Sequence, residues 1–279
     1  GAPRASPVGA LRIGLGFDWR EERFSTLPEW QAGPIPADRE YRDLFVQVET
    51  LSPDFLTWNY VNKDLREEDF DMGRRVVVTA GVSPKTLGAP LTSALAGLLW
   101  QEGFRLSGNA FLLATVEGRA RFEESPRNAL LSAELLFVRR FTTRLPQTLV
   151  ARLAAARGWN LDADQLLYAD GATGLRAYPL YAFEGDRRIL ANVEYRAFCG
   201  CELLQLIAPG AAVFVDAGTA VPPGEPLHLS KLKVDAGVGL RFAIARTSSV
   251  LRVDVGYAFQ PDPRGRRGWL VSFSGGQAF

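Results

Sequence analysis

Apolar and polar positions alternate with a period of two along most of this chain. Successive side chains of a β-strand point to opposite faces, so this alternation predicts strands with one apolar and one polar face. The clearest runs lie at 11–18, 112–121, 234–244 and 251–259. We predict about thirteen strands, near residues 9–19, 41–50, 54–62, 73–83, 92–104, 109–122, 128–141, 147–158, 188–198, 211–218, 232–245, 249–259 and 269–279. The fold class is therefore expected to be all-β.

The length and the polar faces of these strands favour a barrel over a sandwich. Several predicted strands have about ten residues or more, whereas strands of soluble domains usually have about five or six. Their polar faces combine Gly with Arg, Asp and Glu, which suits the crowded, hydrated lumen of a membrane barrel. We predict a transmembrane antiparallel β-barrel of the outer-membrane type with about 12–16 strands. A soluble β-sandwich that acts as a binding module remains an alternative.

The odd strand count needs an explanation, because bacterial single-chain barrels have an even number of strands. Either one strand has been merged or missed, or the chain is an N-terminally shortened piece of a larger barrel. In both cases we expect residues 1–279 to form one outer-membrane barrel domain, with no periplasmic repeat domain in this chain.

Two further patterns agree with a membrane barrel. Aromatic residues lie near the ends of many predicted strands, as they do in interfacial girdles; examples are Trp19, Trp100, Phe141, Trp159 and Trp269. The alternation assigns one set of side chains to the lipid side, namely Val234, Val238, Leu240, Leu251, Val253, Val255, Val271 and Phe273. It assigns Arg241, Arg252 and Asp254 to the lumen side. Two long connections, 20–40 and 159–187, separate strands that are otherwise joined by shorter links.

The composition argues against several functional classes. The 279 residues carry a formal net charge of +1, so nucleic acid is not expected as a partner. No run approaches the ~18 apolar residues that a membrane-spanning helix needs. His228 is the only histidine, and Ser230 beside it lacks a nucleophile motif. We expect no enzymatic activity, no metal site and no cofactor.

Cys199 and Cys201 flank a single glycine, Gly200, at a predicted strand end. In an oxidising compartment they could close a short disulfide. The Cα atoms of residues two apart in an extended chain often exceed the span of a disulfide, so two free thiols in a turn are an equal alternative.

Four motifs in the C-terminal part of the chain appear in a particular order. The first is Leu175, Arg176, Ala177 and Tyr178, preceded by Gly174, in the connection 159–187. Glu194, Tyr195 and Arg196 follow on one strand, and Phe214, Asp216 and Gly218 on the next. The last three strands carry the fourth motif, at 237–241, 251–257 and 273–279.

These motifs resemble those of the C-terminal β-barrel of the BamA/TamA surface-antigen superfamily. That group comprises outer-membrane assembly factors, translocation-and-assembly factors and two-partner secretion transporters. The resemblance covers 174–279, and earlier residues match only in their pattern. Ala177 departs from the family, which usually has Gly there; a methyl group at this position would restrict a positive φ angle.

The resemblance implies that the long loop 159–187 folds into the lumen, where its motif contacts the barrel wall. Arg176 is expected to bind Glu194 or Asp216, which lie on the polar phase of their strands, through the forked geometry of its guanidinium. Tyr178 is expected to pack against the inner wall. Without the resemblance, Arg176 would be assigned to solvent at a loop tip.

The resemblance also implies a location and a function. We expect a bacterial outer-membrane protein that contacts outer-membrane lipids and takes part in assembly, insertion or translocation of nascent outer-membrane or secreted polypeptides. Phe273, Gln277 and Phe279 would act as a C-terminal insertion signal on one side of a lateral seam. A passive pore, or a membrane anchor barrel for a separate domain such as a hydrolase, is the alternative.

Overall fold

The structure, a computed structural model, describes residues 9–25, 36–64, 66–141, 143–244 and 249–279. Part of the connection predicted at 20–40 lies outside these ranges. The described residues contain no α-helix, and the three single-turn helices are Lys85–Leu87, Ala163–Gln165 and Leu229–Lys231. None of the helices in these ranges is long and apolar enough to span a membrane.

The chain is all-β, as the alternation predicts. In chain order the strands are β1 (Ala10–Glu22), β2 (Arg39–Ser52), β3 (Phe55–Trp58), β4 (Glu68–Asp71), β5 (Arg74–Ser83), β6 (Ser93–Ser107), β7 (Ala110–Phe122), β8 (Pro126–Phe141), β9 (Gln147–Trp159), β10 (Leu167–Ala169), β11 (Phe183–Gly185), β12 (Arg187–Phe198), β13 (Ile207–Val221), β14 (Lys233–Ile244), β15 (Val250–Ala258) and β16 (Gly268–Gly275).

Twelve of these strands form one antiparallel sheet in the order β1-β2-β5-β6-β7-β8-β9-β12-β13-β14-β15-β16. The other four form two small hairpins, β3 with β4 and β10 with β11. The strands thus make one large sheet and not the two facing sheets of a sandwich. No ladder joins β1 to β16 among the described residues, so the sheet is not closed into a barrel.

One predicted strand is wrong, and its removal makes the count even. Residues 54–62 were expected to be a sheet strand, but only Phe55–Trp58 is extended, and it pairs with Glu68–Asp71 outside the large sheet. The apolar side chains of this region pack onto the face of the large sheet instead of alternating within it. β4, β10 and β11 have only three or four residues each, too few for a periodic signal.

The two faces of the large sheet differ in chemistry. On one, which we call the outer face, large apolar side chains are exposed; the exposed fractions of Leu15, Val238 and Phe273 are 85%, 57% and 77%. On the inner face, charged groups such as Asp216 and Asp254 are buried. The division between exposed apolar and buried charged positions follows the alternation of the sequence and reverses the arrangement of a soluble protein.

Two segments cover the inner face from opposite ends of the sheet. Residues 170–182, between β10 and β11, are here called the latch segment. Residues 53–73, which join β2 to β5 and include the β3–β4 hairpin, are called the inner insert. Because neighbouring strands are antiparallel, the C-terminal ends of β9 and β2 lie at opposite ends of the strands of the sheet. The latch segment and the inner insert therefore enter the inner face from those two ends.

Candidate functional site

The backbone of the latch segment is organised by Asp170. Its carbonyl oxygen accepts hydrogen bonds from the amides of Gly174 (3.0 Å) and Leu175 (2.7 Å). Its Oδ2 accepts a bond from the amide of Tyr181 at 2.8 Å. Gly174 has a φ angle of +141°, and a Cβ there would lie 3.0 Å from Oδ1 of Asn192. The glycine therefore allows the segment to approach the sheet closely.

Arg176 lies at the tip of the latch segment and is only 3% exposed. Its Nε donates to Oδ2 of Asp216 at 2.7 Å, and its Nη2 donates to Oδ1 of the same carboxylate at 2.9 Å. Its Nη1 donates to Glu194. One guanidinium thus bridges β12 and β13, and the solvent-facing alternative for Arg176 does not hold in this structure. Although burial opposes the charged form, the bonds to Asp216 and Glu194 raise the pKa of Arg176.

Glu194 connects Arg176 to two further cations. Arg196 donates from Nε to Oε1 of Glu194 at 2.7 Å. Arg241 donates from Nη2 to Oε2 of Glu194 at 3.2 Å, and from Nη1 to Oδ1 of Asp254 at 2.6 Å. A buried charge is tolerated when it is paired and hydrogen-bonded, and this network meets that condition for Glu194.

Small residues on β14 and β15 make room for the tip of the latch segment. The guanidinium carbon of Arg176 lies 3.6 Å from the centre of the Phe214 ring. A Cβ at Gly237 would lie 2.5 Å from Cζ of Phe214, and a Cβ at Gly256 would lie 2.9 Å from Cβ of Ala177. Ala177 is not among the residues with a positive φ angle. Its methyl group therefore occupies space left by Gly256 and does not strain the backbone.

Leu175 and Tyr178 fix the segment on either side of Arg176. Leu175 is fully buried in an apolar cluster with Leu190 and Phe183. Tyr178 is 1% exposed and donates a hydrogen bond to the carbonyl oxygen of Gln260 at 3.0 Å. Burial raises the pKa of the Tyr178 hydroxyl to about 12. The structure thus places Gly174, Leu175, Arg176 and Tyr178 on the inner wall together with Glu194 and Asp216.

The inner insert is held by its main chain. The carbonyl oxygen of Asn59 accepts from Nη1 of Arg140 at 3.2 Å, and that of Tyr60 accepts from the hydroxyl of Thr148. The next carbonyl, of Val61, accepts from Nη1 of Arg196 at 2.8 Å. The carbonyl of Asn62 accepts from Nε2 of Gln277 at 2.7 Å. Side chains of the wall therefore bind four consecutive carbonyl groups of the insert.

An apolar cluster holds the same insert. Trp58 and Val61 are 6% and 1% exposed. They are buried with Met72, Phe111, Val138 and Val150. The Trp58 ring lies 5.0 Å from the ring of Phe111. Arg140 stacks on Trp58 at 4.1 Å.

The last residues correct the predicted strand over 269–279. β16 ends at Gly275, and Gly276 has a φ angle of +79°. The chain turns there, so Gln277 and Phe279 lie on the inner side, while Phe273 stays on the outer face at 77% exposure. Phe279 packs against the apolar cluster of the inner insert. The predicted strand over 269–279 is therefore too long, because Gly276 breaks the alternation before Gln277 and Phe279.

Cys199 and Cys201 form a disulfide, so the bonded alternative holds. Gly200 has a φ angle of +66°, which turns the chain and brings the two Cα atoms to 5.1 Å. The amide of Gly200 donates to Oδ2 of Asp64 at 3.3 Å. The disulfide turn therefore contacts the inner insert.

Sequence reasoning missed two parts of this site. Asn192 donates from Nδ2 to the carbonyl of Gly174 at 2.6 Å and to Oδ1 of Asp216 at 2.8 Å. Asn192 lies two residues before Glu194 and therefore on the same polar face of its strand, which is the sequence feature that could have predicted its role. The carbonyl contacts of the inner insert gave no signal, since every sequence has main-chain carbonyls. Among the described residues, no three His, Cys, Asp or Glu side chains are grouped as a metal ligand set would be.

Comparison with models of known protein families gives no match, and comparison with curated protein sequences gives none. The superfamily resemblance therefore depends on the motifs in 174–279 alone.

Proposed function

We propose that this chain is an outer-membrane β-barrel protein that assists the insertion or translocation of other polypeptides, as the BamA/TamA superfamily does. The observation that carries the proposal is the burial of Arg176 between Glu194 and Asp216. The resemblance implies this contact from the motifs alone. A random loop arginine would more often face solvent.

The chemistry of the two faces supports a membrane location. Outer-face residues such as Leu15 and Val238 are apolar and exposed, which lipid would cover at no desolvation cost. Unpaired strand edges are costly in lipid. The proposal therefore includes closure of the barrel through β1 and β16, with a seam that can open between them. The exposed Phe273 would lie beside this seam.

Two other roles make different demands on the structure. A passive pore needs an open lumen, and the latch segment and the inner insert both occupy the inner face. An anchor barrel for a hydrolase domain is compatible with both segments. The sequence encoded upstream of Gly1 separates these roles: polypeptide-binding repeats there favour assembly, and a hydrolase there favours an anchor.

The membrane part of the proposal is tested at Val238, which lies in the middle of β14 and is 57% exposed. In a membrane, Val238→Arg should cost about 2–4 kcal/mol of folding free energy near the bilayer midplane. In water, the same change at an exposed site should cost less than about 0.5 kcal/mol. Leu229→Arg, in the connection between β13 and β14, is the control and should cost little in either case.

The assembly part is tested by reconstitution. Liposomes that contain the protein should accelerate folding of an added urea-unfolded outer-membrane barrel, measured by its heat-modifiable electrophoretic mobility. Empty liposomes, and liposomes that contain an unrelated barrel of similar size, are the controls. Equal folding rates in all three would contradict an assembly function and leave the anchor role.

A further inference from the structure

We propose that the inner wall beneath residues 58–62 is a polypeptide-binding site, which the inner insert occupies in place of a client segment. This inference rests on the proposed function and names the kind of ligand the site would take. The argument starts from the way the wall holds the insert.

The wall binds the main chain of the insert at this place, and Nη1 of Arg140 and Nη1 of Arg196 also donate to Oδ1 of Asn59 (2.9 Å) and of Asn62 (3.0 Å). Arg140, Thr148 and Arg196, which lie on three different strands, donate to carbonyl oxygens of consecutive residues in the insert. Gln277 donates to the next one. A carbonyl oxygen is present in every residue, so this row of donors can hold the main chain of a polypeptide of another sequence.

The apolar contacts add a preference. Trp58 and Val61, three residues apart, are buried against Phe111, Val138 and Val150. The site therefore suits a segment with an aromatic residue followed three positions later by a β-branched one. Outer-membrane strands are rich in aromatic and β-branched residues, so unfolded barrel proteins are suitable ligands.

The strand pairing of the large sheet indicates that the insert can leave the wall without disrupting the sheet. Ser52 and Arg74, which flank it, are direct partners in the β2–β5 ladder. The sheet register is therefore set without the 53–73 segment. Neither β3 nor β4 pairs with the large sheet.

Tethering explains why the site is filled in this structure. A covalently linked segment has an effective concentration of the order of millimolar for short flexible connections. A free segment with the same contacts would have to compete with that concentration. A client would bind once the insert has moved away, or once it is removed experimentally.

The test replaces residues 53–73 by Asn-Gly, a dipeptide that closes a two-residue hairpin between paired strands. The probe is a fluorescein-labelled peptide with the sequence of residues 54–72, and its anisotropy is measured in detergent micelles. We expect the replacement variant to bind the peptide at least about tenfold more tightly than the intact chain, in which the tethered insert competes. A probe peptide with Ser at positions 58 and 61 should bind the variant about tenfold more weakly than the unaltered probe.

Substitutions in the wall test where the peptide binds. In the replacement variant, Thr148→Val and Arg140→Gln should each weaken peptide binding by about three- to tenfold. Arg119→Gln is the matched control. Arg119 is an exposed arginine on the inner face of β7. This change should leave the affinity unaltered.

An unrelated urea-unfolded barrel protein is then added to the peptide complex. Displacement of the probe supports a general polypeptide site. Failure of displacement would show that the wall recognises only its own insert and would overturn the inference. This measurement does not depend on liposome assembly, so the inference can fail while the proposed function holds, and the reverse.

A second variant covers the case in which the replacement fails to fold. Trp58→Ala in the full chain keeps the insert and weakens its hold, and circular dichroism and heat-modifiable mobility verify its fold. This variant should bind the probe more tightly than the intact chain. Equal affinity of the two folded chains would overturn the inference.

Discussion

The latch segment and the inner insert lie on the same inner face but are held by different chemistry. Arg176 of the latch segment binds two buried carboxylates through a fixed guanidinium fork. The insert is held by neutral carbonyl oxygens and by an apolar cluster around Trp58 and Val61. The first contact depends on one residue, whereas the second is spread over several. The two segments should therefore respond differently to single substitutions, with the largest effect at Arg176.

Arg176→Ala should have the largest effect. It leaves Glu194 and Asp216 without one cation in a buried region, which costs about 3–5 kcal/mol. Hydrogen exchange in residues 170–182 should rise steeply, while exchange in 58–62 should change much less. Arg176→Lys keeps the charge and loses the fork, so its effect should be intermediate. Equal loss of protection in both segments would contradict the separation of the two contacts.

Val61→Ala should produce the opposite pattern with a smaller effect. Removing two buried methylene equivalents should cost about 2 kcal/mol. Exchange should rise in 58–64 and remain unchanged in the latch segment. Val238→Ala, on the exposed outer face, is the matched control and should leave exchange in the insert unchanged. An insert that stays protected in Val61→Ala would mean that the carbonyl contacts alone hold it.

Thr148→Val tests one carbonyl contact. The substitution preserves shape and removes the hydroxyl that donates to Tyr60. The expected cost is about 1 kcal/mol, because a single neutral hydrogen bond contributes little net stability. Thr115→Val, also on the inner side of the sheet, should cost less than about 0.5 kcal/mol. A cost for Thr148→Val as large as that for Arg176→Ala would show that the insert also depends on a single residue.

The connection that carries the latch segment should also respond to pH. Nη1 of Arg39 donates to Oδ2 of Asp164 at 3.0 Å, and this bond lowers the pKa of Asp164 to about 2. Because the pKa is lower in the folded state, the stabilisation is present above about pH 4. It is lost as the pH falls toward the folded-state pKa. The effect should be below about 1 kcal/mol because Asp164 is partly exposed.

Asp164→Asn should remove this acid-induced change, measured as hydrogen exchange of residues 160–169 between pH 4 and pH 2 after correction for intrinsic rates. Exchange in the inner insert should not depend on Asp164. A loosening at low pH that persists in Asp164→Asn would assign it to other carboxylates.

The sheet could be predicted because its determinants are periodic and local. Apolar and polar residues alternate along most of its strands, and the exposed positions of Val238 and Phe273 follow from that alternation. The Arg176 contact could be expected from the superfamily resemblance, which depends on a cation and two carboxylates in a recognisable order; residue types alone would assign Arg176 to solvent. Closure of the sheet was predicted from strand length and from the polar faces, but no ladder joins β1 to β16 among the described residues. Neither feature specifies pairing between strands that lie at the two ends of the sheet.

The sequence pattern predicts continuous strands both at the inner insert and at the last residues, and in each place the structure differs. Around Trp58 the alternation reflects contact with the sheet, and short apolar runs do not distinguish this from pairing within it. After Gly275 the alternation continues through Gln277 to Phe279, but one glycine with a positive φ angle reverses the face. A pattern of residue types does not contain that backbone angle.

Arg196 contacts both the network that binds the latch segment and the inner insert. It donates from Nε to Glu194, which binds the latch segment, and from Nη1 to Val61 of the inner insert. We expect a change in one segment to alter the free energy of the other through this shared side chain. Such coupling is reciprocal. If opening of the latch segment changes the affinity of a molecule for the insert's binding site by some factor, binding of that molecule changes the opening equilibrium of the latch segment by the same factor. Arg196 is thus the position at which to measure cooperativity between the latch segment and the inner insert.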